Sequence, residues 1–357
     1  MPDEDIELES LVEDPKALEE LFNRDVHYLS SLADKITREK CGNFITFTNN
    51  LVVNYTNICI AKCPICAFSR SPQDPDAYVL SPEQVCKLVE EAYLKYGILE
   101  VHLNGGLNPE LDIEYFEKMF KLIKSRAPKV TIKGLTCCEI GYYSKLWRMS
   151  YKEVIERLRD AGLDILSGGC LEIYNAEIRK IICPNKISGD EWFRIAEIAA
   201  SCGVLTNATM LFGHIEKPSH IIEHLLKIRE FQLKTKSILN FIPLKFVPYN
   251  TKLYRDGIVR EECPAPYVLK VIAISRIVLQ DIVKRISAYW VSLGKKLAQV
   301  ALTAGANDLV GTMINEKVFR EAGRVDITTV EELAHIVRSL GRQPALRDSF
   351  GNIVRVL

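Results

Sequence analysis

The sequence predicts an α/β protein built on a closed (β/α)₈ barrel of the TIM type, with N-terminal helices and a small C-terminal helical extension. Short β-branched runs alternate about eight times with segments of helical periodicity. Such alternation implies a parallel sheet, and about eight units over roughly 260 residues suit a closed barrel. An open doubly wound sheet would instead place a phosphate-binding glycine fingerprint after its first strand, where this chain has cysteines.

The expected elements follow one another in a regular order. An acidic helical segment, 1–44, precedes the barrel, 45–312, and an extension, 313–357, ends in the β-like FGNIVRVL. Runs rich in β-branched residues predict strands at 51–58, 98–104, 129–136, 164–169, 204–213, 238–246, 285–291 and 307–312. Amphipathic periodicity predicts helices at 81–97, 113–128, 150–162, 175–182, 188–201, 217–235, 264–283 and 295–305.

The composition excludes several classes of protein. Hydrophobic residues make up 48% of the 357 residues, which is ample for a large core. Basic and acidic residues both number 46, and this balance argues against a large nucleic-acid footprint. No apolar run reaches the ~18 residues of a membrane-spanning helix, and the acidic start lacks the features of a signal peptide. A cytoplasmic location is therefore expected.

The chain has 11 cysteines, an odd number without a secretion signal, which does not indicate a disulfide framework. Most of these cysteines lie in apolar or helical segments and are interpreted as small buried side chains. This group comprises Cys41, Cys86, Cys183, Cys202 and Cys263. The adjacent Cys137 and Cys138, at the end of the third expected strand, are likewise interpreted as packing residues and not as metal ligands.

Three further cysteines form a compact motif. Cys59, Cys63 and Cys66 follow the first expected strand with the spacing C-x3-C-x2-C, on the face of a barrel where active sites lie. Structural zinc sites normally use four protein ligands, and a [4Fe–4S] cluster normally takes four cysteines. Three cysteines leave one iron of such a cluster open to a substrate or cosubstrate.

This motif, at the end of a first barrel strand, resembles that of the radical S-adenosylmethionine (SAM) superfamily. The resemblance implies a [4Fe–4S] cluster on the three cysteines, whose open iron is chelated by the amino and carboxylate groups of SAM. It also implies a reducing partner such as flavodoxin or ferredoxin, and cleavage of SAM to methionine and a 5′-deoxyadenosyl radical. Ile65 stands where the family usually has an aromatic residue. Ile65 and Phe68 of this loop are expected to contact SAM.

The resemblance also implies SAM-binding residues on two other strand ends. Gly105 and Gly106 resemble the glycine motif that binds the SAM amino group, although a glycine pair alone can be a plain loop. Glu172 is expected to accept hydrogen bonds from the ribose hydroxyls, and Arg179 to pair with the methionine carboxylate. In isolation each would be read as a solvated surface charge. The family tends to read G-G-G-A-E before this glutamate, and this chain reads Gly168–Gly169–Cys170–Leu171–Glu172.

Further stretches (184–192, 207–218, 241–251 and 288–312) resemble one subgroup of that superfamily. It contains aminofutalosine synthase, dehypoxanthine futalosine cyclase and the second subunit of the deazaflavin (FO) synthase of coenzyme F420 biosynthesis. The sequence of these stretches most resembles that of aminofutalosine synthase. That resemblance implies a transferase of menaquinone biosynthesis that adds the radical to 3-[(1-carboxyvinyl)oxy]benzoate, a chorismate-derived enol ether. The sister enzymes are the alternative. A non-catalytic iron–sulfur electron carrier, or a zinc-binding module, is the alternative of another class.

A substrate with two carboxylates needs basic or hydrogen-bonding partners in a largely apolar barrel mouth. His214 and Lys133 are the expected catalytic residues, because His214 can move a proton near neutral pH. The plainer interpretations are a core histidine and a solvent-facing lysine. Further candidates at strand ends are Thr136 and Lys245. Of the neighbours Tyr289 and Trp290, at most one is expected to face the site, because adjacent strand residues point to opposite faces. Asn307 and Asp308 could bind substrate, and a helix cap is an equal alternative for them.

Overall fold

A computed structural model describes residues 8–357, so the first seven residues of the expected N-terminal segment lie outside the described residues. The helices are α1 Leu8–Leu11, α2 Pro15–Glu20, α3 Val26–Cys41, α4 Pro82–Tyr96, α5 Ile113–Arg126, α6 Cys137–Trp147, α7 Tyr151–Ala161, α8 Ala176–Ile182, α9 Gly189–Ser201, α10 Pro218–Thr235, α11 Lys252–Arg255, α12 Ala265–Leu279, α13 Trp290–Leu293, α14 Lys295–Ala301, α15 Val318–Glu321 and α16 Val330–Arg338. The strands are β1 Phe44–Thr48, β2 Asn50–Asn54, β3 Glu100–Asn104, β4 Thr131–Thr136, β5 Ile165–Ser167, β6 Leu205–Phe212, β7 Ile238–Lys245, β8 Arg285–Ile286, β9 Asp308–Gly311, β10 Gln343–Arg347 and β11 Ile353–Val356.

Strands β2 to β8 form one curled parallel sheet in sequence order, which confirms the predicted α/β barrel class. Helices follow most of these strands because each crossover between parallel neighbours must run back across the sheet. The gap between β8 and β2 is filled by β9 and the residues after it. Parallel bridges pair Ser287 with Asp308 and Leu51 with Ile314. The Val52 N–H donates to the Ile314 carbonyl oxygen at 2.8 Å, which closes the ring.

A second sheet joins the two ends of the described chain. Its order is β11-β10-β1-β9, and β1 pairs in parallel with both β10 and β9. The C-terminal extension therefore contributes a strand beside β1, in addition to the expected helices. Arg347 of β10 reaches Asp308 of β9, with Nε 2.7 Å from a carboxylate oxygen.

Two stretches of the barrel illustrate where the structure differs from the sequence-based expectation. The strand expected over 285–291 ends at Ile286, because the chain turns into α13 at Trp290. The helix α6 begins directly after β4 and was not expected. Its start is fixed by a capping box, in which the Thr136 hydroxyl accepts from the Glu139 N–H while the Glu139 carboxylate accepts from the Thr136 N–H.

The core lies between the barrel and its helices, and the interior widens into a cavity at the carboxyl ends of the strands. Large buried aromatic side chains from helices and strands fill this layer, among them Phe116, Phe120, Trp192 and Phe241. Among residues 8–357, no helix is both long and apolar enough to cross a membrane.

Candidate active site

The cysteine motif lies on a loop held by backbone hydrogen bonds from several parts of the fold. The Cys59 N–H donates to the Arg70 carbonyl oxygen, and the Ile60 N–H to that of Leu107, both at 3.0 Å. The Leu253 N–H donates to the Pro64 carbonyl oxygen at 3.1 Å. Backbone hydrogen bonds thus hold the loop from both sides.

The three thiols have the chemistry expected of cluster ligands. The Leu107 N–H donates to Cys59 Sγ at 3.3 Å, and such donors stabilise a coordinated thiolate. Burial raises the pKa of both the Cys63 and the Cys66 thiols, so bare thiolates are disfavoured there and a metal must replace their protons. Within residues 8–357, no three such side chains converge on one single-ion site. A [4Fe–4S] cube binds each cysteine at a different iron and does not require that convergence, so the donor set fits a cluster.

Gly105 and Gly106 lie where the loop after β3 packs against the cysteine loop. A Cβ on Gly106 would lie 2.2 Å from the Ile58 carbonyl oxygen and 2.7 Å from Cys59 Cβ. A Cβ on Gly105 would lie 2.3 Å from the Tyr55 ring. The pair is therefore required by close approach, and Gly105 also lines the cavity.

The cavity has two chemically different walls. The side chains of His102, Lys133, Ser167, Asn207 and Thr209 come from β3 to β6 and give a polar wall. The other wall is mainly apolar apart from Glu316, and it comes from β7 and from segments nearer the C-terminus: Ile242, Leu244, Phe246, Tyr289, Met313 and Phe319. A molecule with a polar end and an aromatic end would therefore match both walls.

The polar wall has an ordered charge network. Lys133 Nζ lies 2.5 Å from a carboxylate oxygen of Glu100, and both side chains are almost fully buried. Burial alone would raise the pKa of Glu100, but the Lys133 ammonium outweighs it and lowers that pKa to about 2. Burial and Lys133 lower the pKa of His102 to about 3. His102 is thus a neutral imidazole, with Nε2 2.9 Å from Ser167 Oγ.

Glu172, the predicted ribose ligand, lines the cavity in an ion pair with Lys186. The Lys186 Nζ lies 2.6 Å from the Glu172 carboxylate. Burial would raise the pKa of Glu172, but the neighbouring ammonium lowers it overall, so the carboxylate is charged. Sequence reasoning missed Lys186 as a site residue. It lies between α8 and α9 in the stretch 184–192, where no periodicity marks it.

Two titratable side chains expected at the site, Arg179 and His214, are directed elsewhere. The Arg179 guanidinium donates to the carbonyl oxygens of Leu171, Ile173 and Ile187, and does not line the cavity. It therefore shapes the loop that carries Glu172. The His214 ring is buried, with Nε2 3.1 Å from the Leu211 carbonyl oxygen and Nδ1 3.0 Å from the Glu216 carboxylate, and it also lies outside the cavity lining.

In the cysteine loop, Ile65 lines the cavity. Phe68 is buried and does not line the cavity. Lys245 is paired with Glu262.

Of the adjacent aromatic residues, Tyr289 lines the cavity and Trp290 donates from Nε1 to the Gly311 carbonyl oxygen at 2.8 Å. This agrees with the expectation that at most one of them faces the site. Neither Asn307 nor Asp308 lines the cavity or caps a helix. Asn307 accepts from Arg276, and Asp308 is held by Arg347.

Family models match most of the chain. The model described as the radical SAM superfamily matches residues 53–228, and the model described as the CofH/MqnC C-terminal region matches residues 235–354. The second match covers the part of the chain that supplies most of the apolar wall.

Curated relatives cover nearly the whole chain. A protein of Methanopyrus kandleri is 40% identical over 88% of this chain and 86% of its own length. Another of Methanothermobacter thermautotrophicus is 37% identical over 91% and 89%. A third, from Methanocaldococcus jannaschii, is 35% identical over 94% and 95%. Each is named 5-amino-6-(D-ribitylamino)uracil–L-tyrosine 4-hydroxyphenyl transferase.

Solved structures share the fold at low sequence identity. Methylornithine synthase (PylB) superposes with a TM-score of 0.74 at 17% identity, over 96% of this chain and 98% of its own. The hydrogenase maturase HydG from Carboxydothermus hydrogenoformans gives 0.71 at 16% identity, over 95% and 79%.

The relatives' names bear on the expected activity. They do not support the expectation of aminofutalosine synthase or of menaquinone biosynthesis, and they favour the alternative in the same subgroup, the second subunit of the FO synthase.

Proposed function

We propose a reaction for this chain, which belongs to the radical SAM superfamily and to its group with the CofH/MqnC C-terminal region. The proposed reaction joins the hydroxyphenyl-bearing part of L-tyrosine to 5-amino-6-(D-ribitylamino)uracil, which gives a precursor of the deazaflavin chromophore. The observation that carries this proposal is the 40% identity, over 88% of the chain, to a transferase with that name.

Cofactor binding is assigned to the loops at one end of the barrel. In this proposal Cys59, Cys63 and Cys66 bind three irons of a [4Fe–4S] cluster, and the backbone at Gly105 and Gly106 receives the SAM amino group. When bound and reduced, the cluster and SAM together supply a 5′-deoxyadenosyl radical. In this proposal Ile65 would contact adenine and Glu172 would contact ribose, which is supported by both side chains lining the cavity.

Lys186 fixes the Glu172 carboxylate in its ionised form, ready to accept hydrogen bonds. Arg179 fixes the same loop through its carbonyl oxygens. We therefore propose that Arg179 is a positioning residue, and that it does not itself bind the methionine carboxylate. His214, which is also outside the cavity, is proposed to hold the turn after β6 through Glu216.

The two walls suit the proposed substrates. Lys133 is the cation of the polar wall and would orient a substrate carboxylate or a uracil oxygen, with His102 and Ser167 as neutral hydrogen-bonding groups. Tyr289 and Phe319 contact each other with ring centroids 5.4 Å apart and would pack against an aromatic ring. Buried apolar side chains on this wall would also keep water from a reactive radical.

The test uses anaerobically purified protein with reconstituted iron and sulfide. The protein would receive dithionite, SAM, L-tyrosine and the ribitylaminouracil, and mass spectrometry would follow the coupled product and 5′-deoxyadenosine. We expect both products from the wild type and neither from Cys63→Ala. The matched control is Cys86→Ala, which removes a buried thiol of α4, outside the cluster loop.

Parallel reactions separate this proposal from its competitors. Aminofutalosine formed from 3-[(1-carboxyvinyl)oxy]benzoate, with no coupled uracil product, would overturn the proposed substrates. A protein with a full cluster that never cleaves SAM would instead support a non-catalytic electron carrier.

A further inference from the structure

Two cysteines outside the C-x3-C-x2-C motif are brought together beside the cavity. Cys138 is the second residue of α6, and Cys170 lies in the loop after β5. Thr136 of β4 and Ser167 of β5 are aligned partners, so the segments after them leave neighbouring strands. An added Cβ on Gly169 would lie only 3.3 Å from Thr136 Cγ2, which shows how closely the two segments pack.

Gly169 directly precedes Cys170 and packs on Thr136, two residues before Cys138, so the two cysteines lie close to each other. Cys170 lines the cavity, whereas Cys138 lies behind it and is 1% exposed. One thiol can therefore meet a molecule in the cavity, and the other can meet only its partner.

Their environments give the two sulfurs different reactivity. The neighbouring Cys138 thiol, together with the Lys186 ammonium, lowers the pKa of Cys170 against the effect of burial. The nearby Cys170 and burial both raise the pKa of Cys138. A thiolate attacks a disulfide, and a neighbouring thiol then displaces the mixed disulfide. The geometry thus has an accessible attacking sulfur and a covered resolving sulfur.

We propose that Cys138 and Cys170 form a redox-active dithiol that low-molecular-weight disulfides oxidise to an intramolecular disulfide, and that the oxidised site holds SAM more weakly. In the first step the Cys170 thiolate bonds to one sulfur of the small disulfide and releases one thiolate. In the second step Cys138 loses its proton, bonds to Cys170 and releases the second thiolate. The two cysteines lose two electrons, and the small disulfide gains them.

The consequence for SAM follows from the loop that carries Cys170. Glu172 lies two residues further on, and both residues have left-handed backbone, with φ of 71° and 52°. A covalent bond to α6 would fix this loop in a new position, and the proposed ribose ligand would move with it. The inference rests on the SAM site of the superfamily and does not depend on the proposed tyrosine and uracil substrates.

The experiment treats cluster-loaded protein with glutathione disulfide under anaerobic conditions. Free thiols are then alkylated, and peptides are analysed by mass spectrometry, while visible absorption records whether the cluster remains intact. We expect a linked peptide pair containing Cys138 and Cys170, and a several-fold rise in the SAM dissociation constant in equilibrium dialysis. SAM added first should slow the linkage, because it would occupy the cavity next to Cys170.

Single variants distinguish the two roles. Cys138→Ser should stop at a stable glutathione adduct on Cys170, and Cys170→Ser should give neither an adduct on Cys138 nor a linked pair. Cys202→Ser, at the end of α9, is the matched control and should behave as the wild type. The inference is overturned if the intact holoenzyme yields Cys138 and Cys170 alkylated separately. Linkage without any change in SAM affinity would overturn its regulatory half. Neither readout uses tyrosine or the uracil, so failure here is distinct from failure of the proposed reaction.

Discussion

At the scale of single residues, the cavity depends on charges that are buried in pairs. The side chains of Lys186 and Glu172 are only 14% and 11% exposed. An ion pair so far from water contributes little net stability as a pair, but the loss of one partner leaves an uncompensated charge. Each partner therefore matters to stability, apart from the proposed role of Glu172 in SAM binding.

We expect Lys186→Met to lower the free energy of unfolding by ~3–5 kcal/mol at neutral pH, because Glu172 would remain buried without its cation. Urea denaturation under anaerobic conditions would measure it. The control Lys180→Met removes an exposed lysine of α8 and should change stability little. Adding Glu172→Gln to Lys186→Met should restore part of the loss. Equal effects of Lys186→Met and Lys180→Met would contradict the buried pair.

The buried carboxyl of Glu139 leads us to expect a stability that depends on pH. Burial raises its pKa to about 7, although Tyr55 and Thr136 hydrogen-bond to it. The folded-state pKa is therefore above that of the unfolded chain, near 4.3. A raised pKa gives stability that is present below the unfolded value and lost as pH rises through the folded value.

As pH rises from about 4.5 to 7, the wild type should lose up to ~3 kcal/mol of its free energy of unfolding because Glu139 ionises. Glu139→Gln should not show this loss. Unfolding free energies of both proteins across this range would test it. Parallel pH profiles for the two proteins would show that Glu139 does not titrate in this window.

The same scale shows which site residues the sequence could reveal. The cysteine motif is local, so its spacing was sufficient to predict where Cys59, Cys63 and Cys66 lie. Lys186 was missed because its partner Glu172 is fourteen residues away and only the fold brings them together. The sequence placed Arg179 near the correct loop, but it could not show that three backbone carbonyl oxygens take up its guanidinium.

At the scale of elements, the cluster loop depends on the glycine loop beside it. Gly106→Ala would force a Cβ to within 2.2 Å of the Ile58 carbonyl oxygen, so one of the two loops must shift. We expect the variant to bind much less iron after reconstitution while it retains its secondary structure. Iron analysis and circular dichroism would measure the two properties.

Gly134→Ala is the matched control for that prediction. It adds the same methyl group within β4, where the nearest atom is 3.4 Å away. It should retain the iron content of the wild type. If both variants bind iron normally, the close approach of the two loops does not control cluster binding.

Strands and helices were predicted best where one periodicity held throughout. β3, with the sequence EVHLN, and α9, with an amphipathic pattern, lie where they were expected. The strand expected over 285–291 ends early because Trp290 begins α13 and donates a hydrogen bond to the Gly311 carbonyl oxygen. Neither this contact nor the second sheet has a local signal, since both join distant parts of the chain.

At the scale of the whole molecule, the contact between Arg347 and Asp308 ties the C-terminal extension to the barrel. Arg347 is 4% exposed and Asp308 is fully buried. Burial would raise the pKa of Asp308, but Arg347 outweighs it and lowers that pKa. The pair therefore gives stability that is present above the unfolded pKa of an aspartate and lost as pH falls through the folded value.

Arg347→Met should lower the free energy of unfolding by ~3–5 kcal/mol at neutral pH, and the difference from the wild type should shrink below about pH 4. The control Arg355→Met replaces an exposed arginine of β11 and should have little effect. Denaturation at several pH values would test both. A difference that did not change with pH would show that lost packing, and not the charge of Asp308, destabilises the variant.

The second sheet also has a consequence for synthesis on the ribosome. β1 ends at Thr48, but the strands beside it begin only at Asp308 and Gln343. At ~5–20 residues per second, the nascent chain would wait about 15–50 s before the first of these neighbours is made. During that time β1 has no strand on either side, and its unpaired edges are open to pairing with other chains. We therefore expect iron loading to follow release of the finished polypeptide.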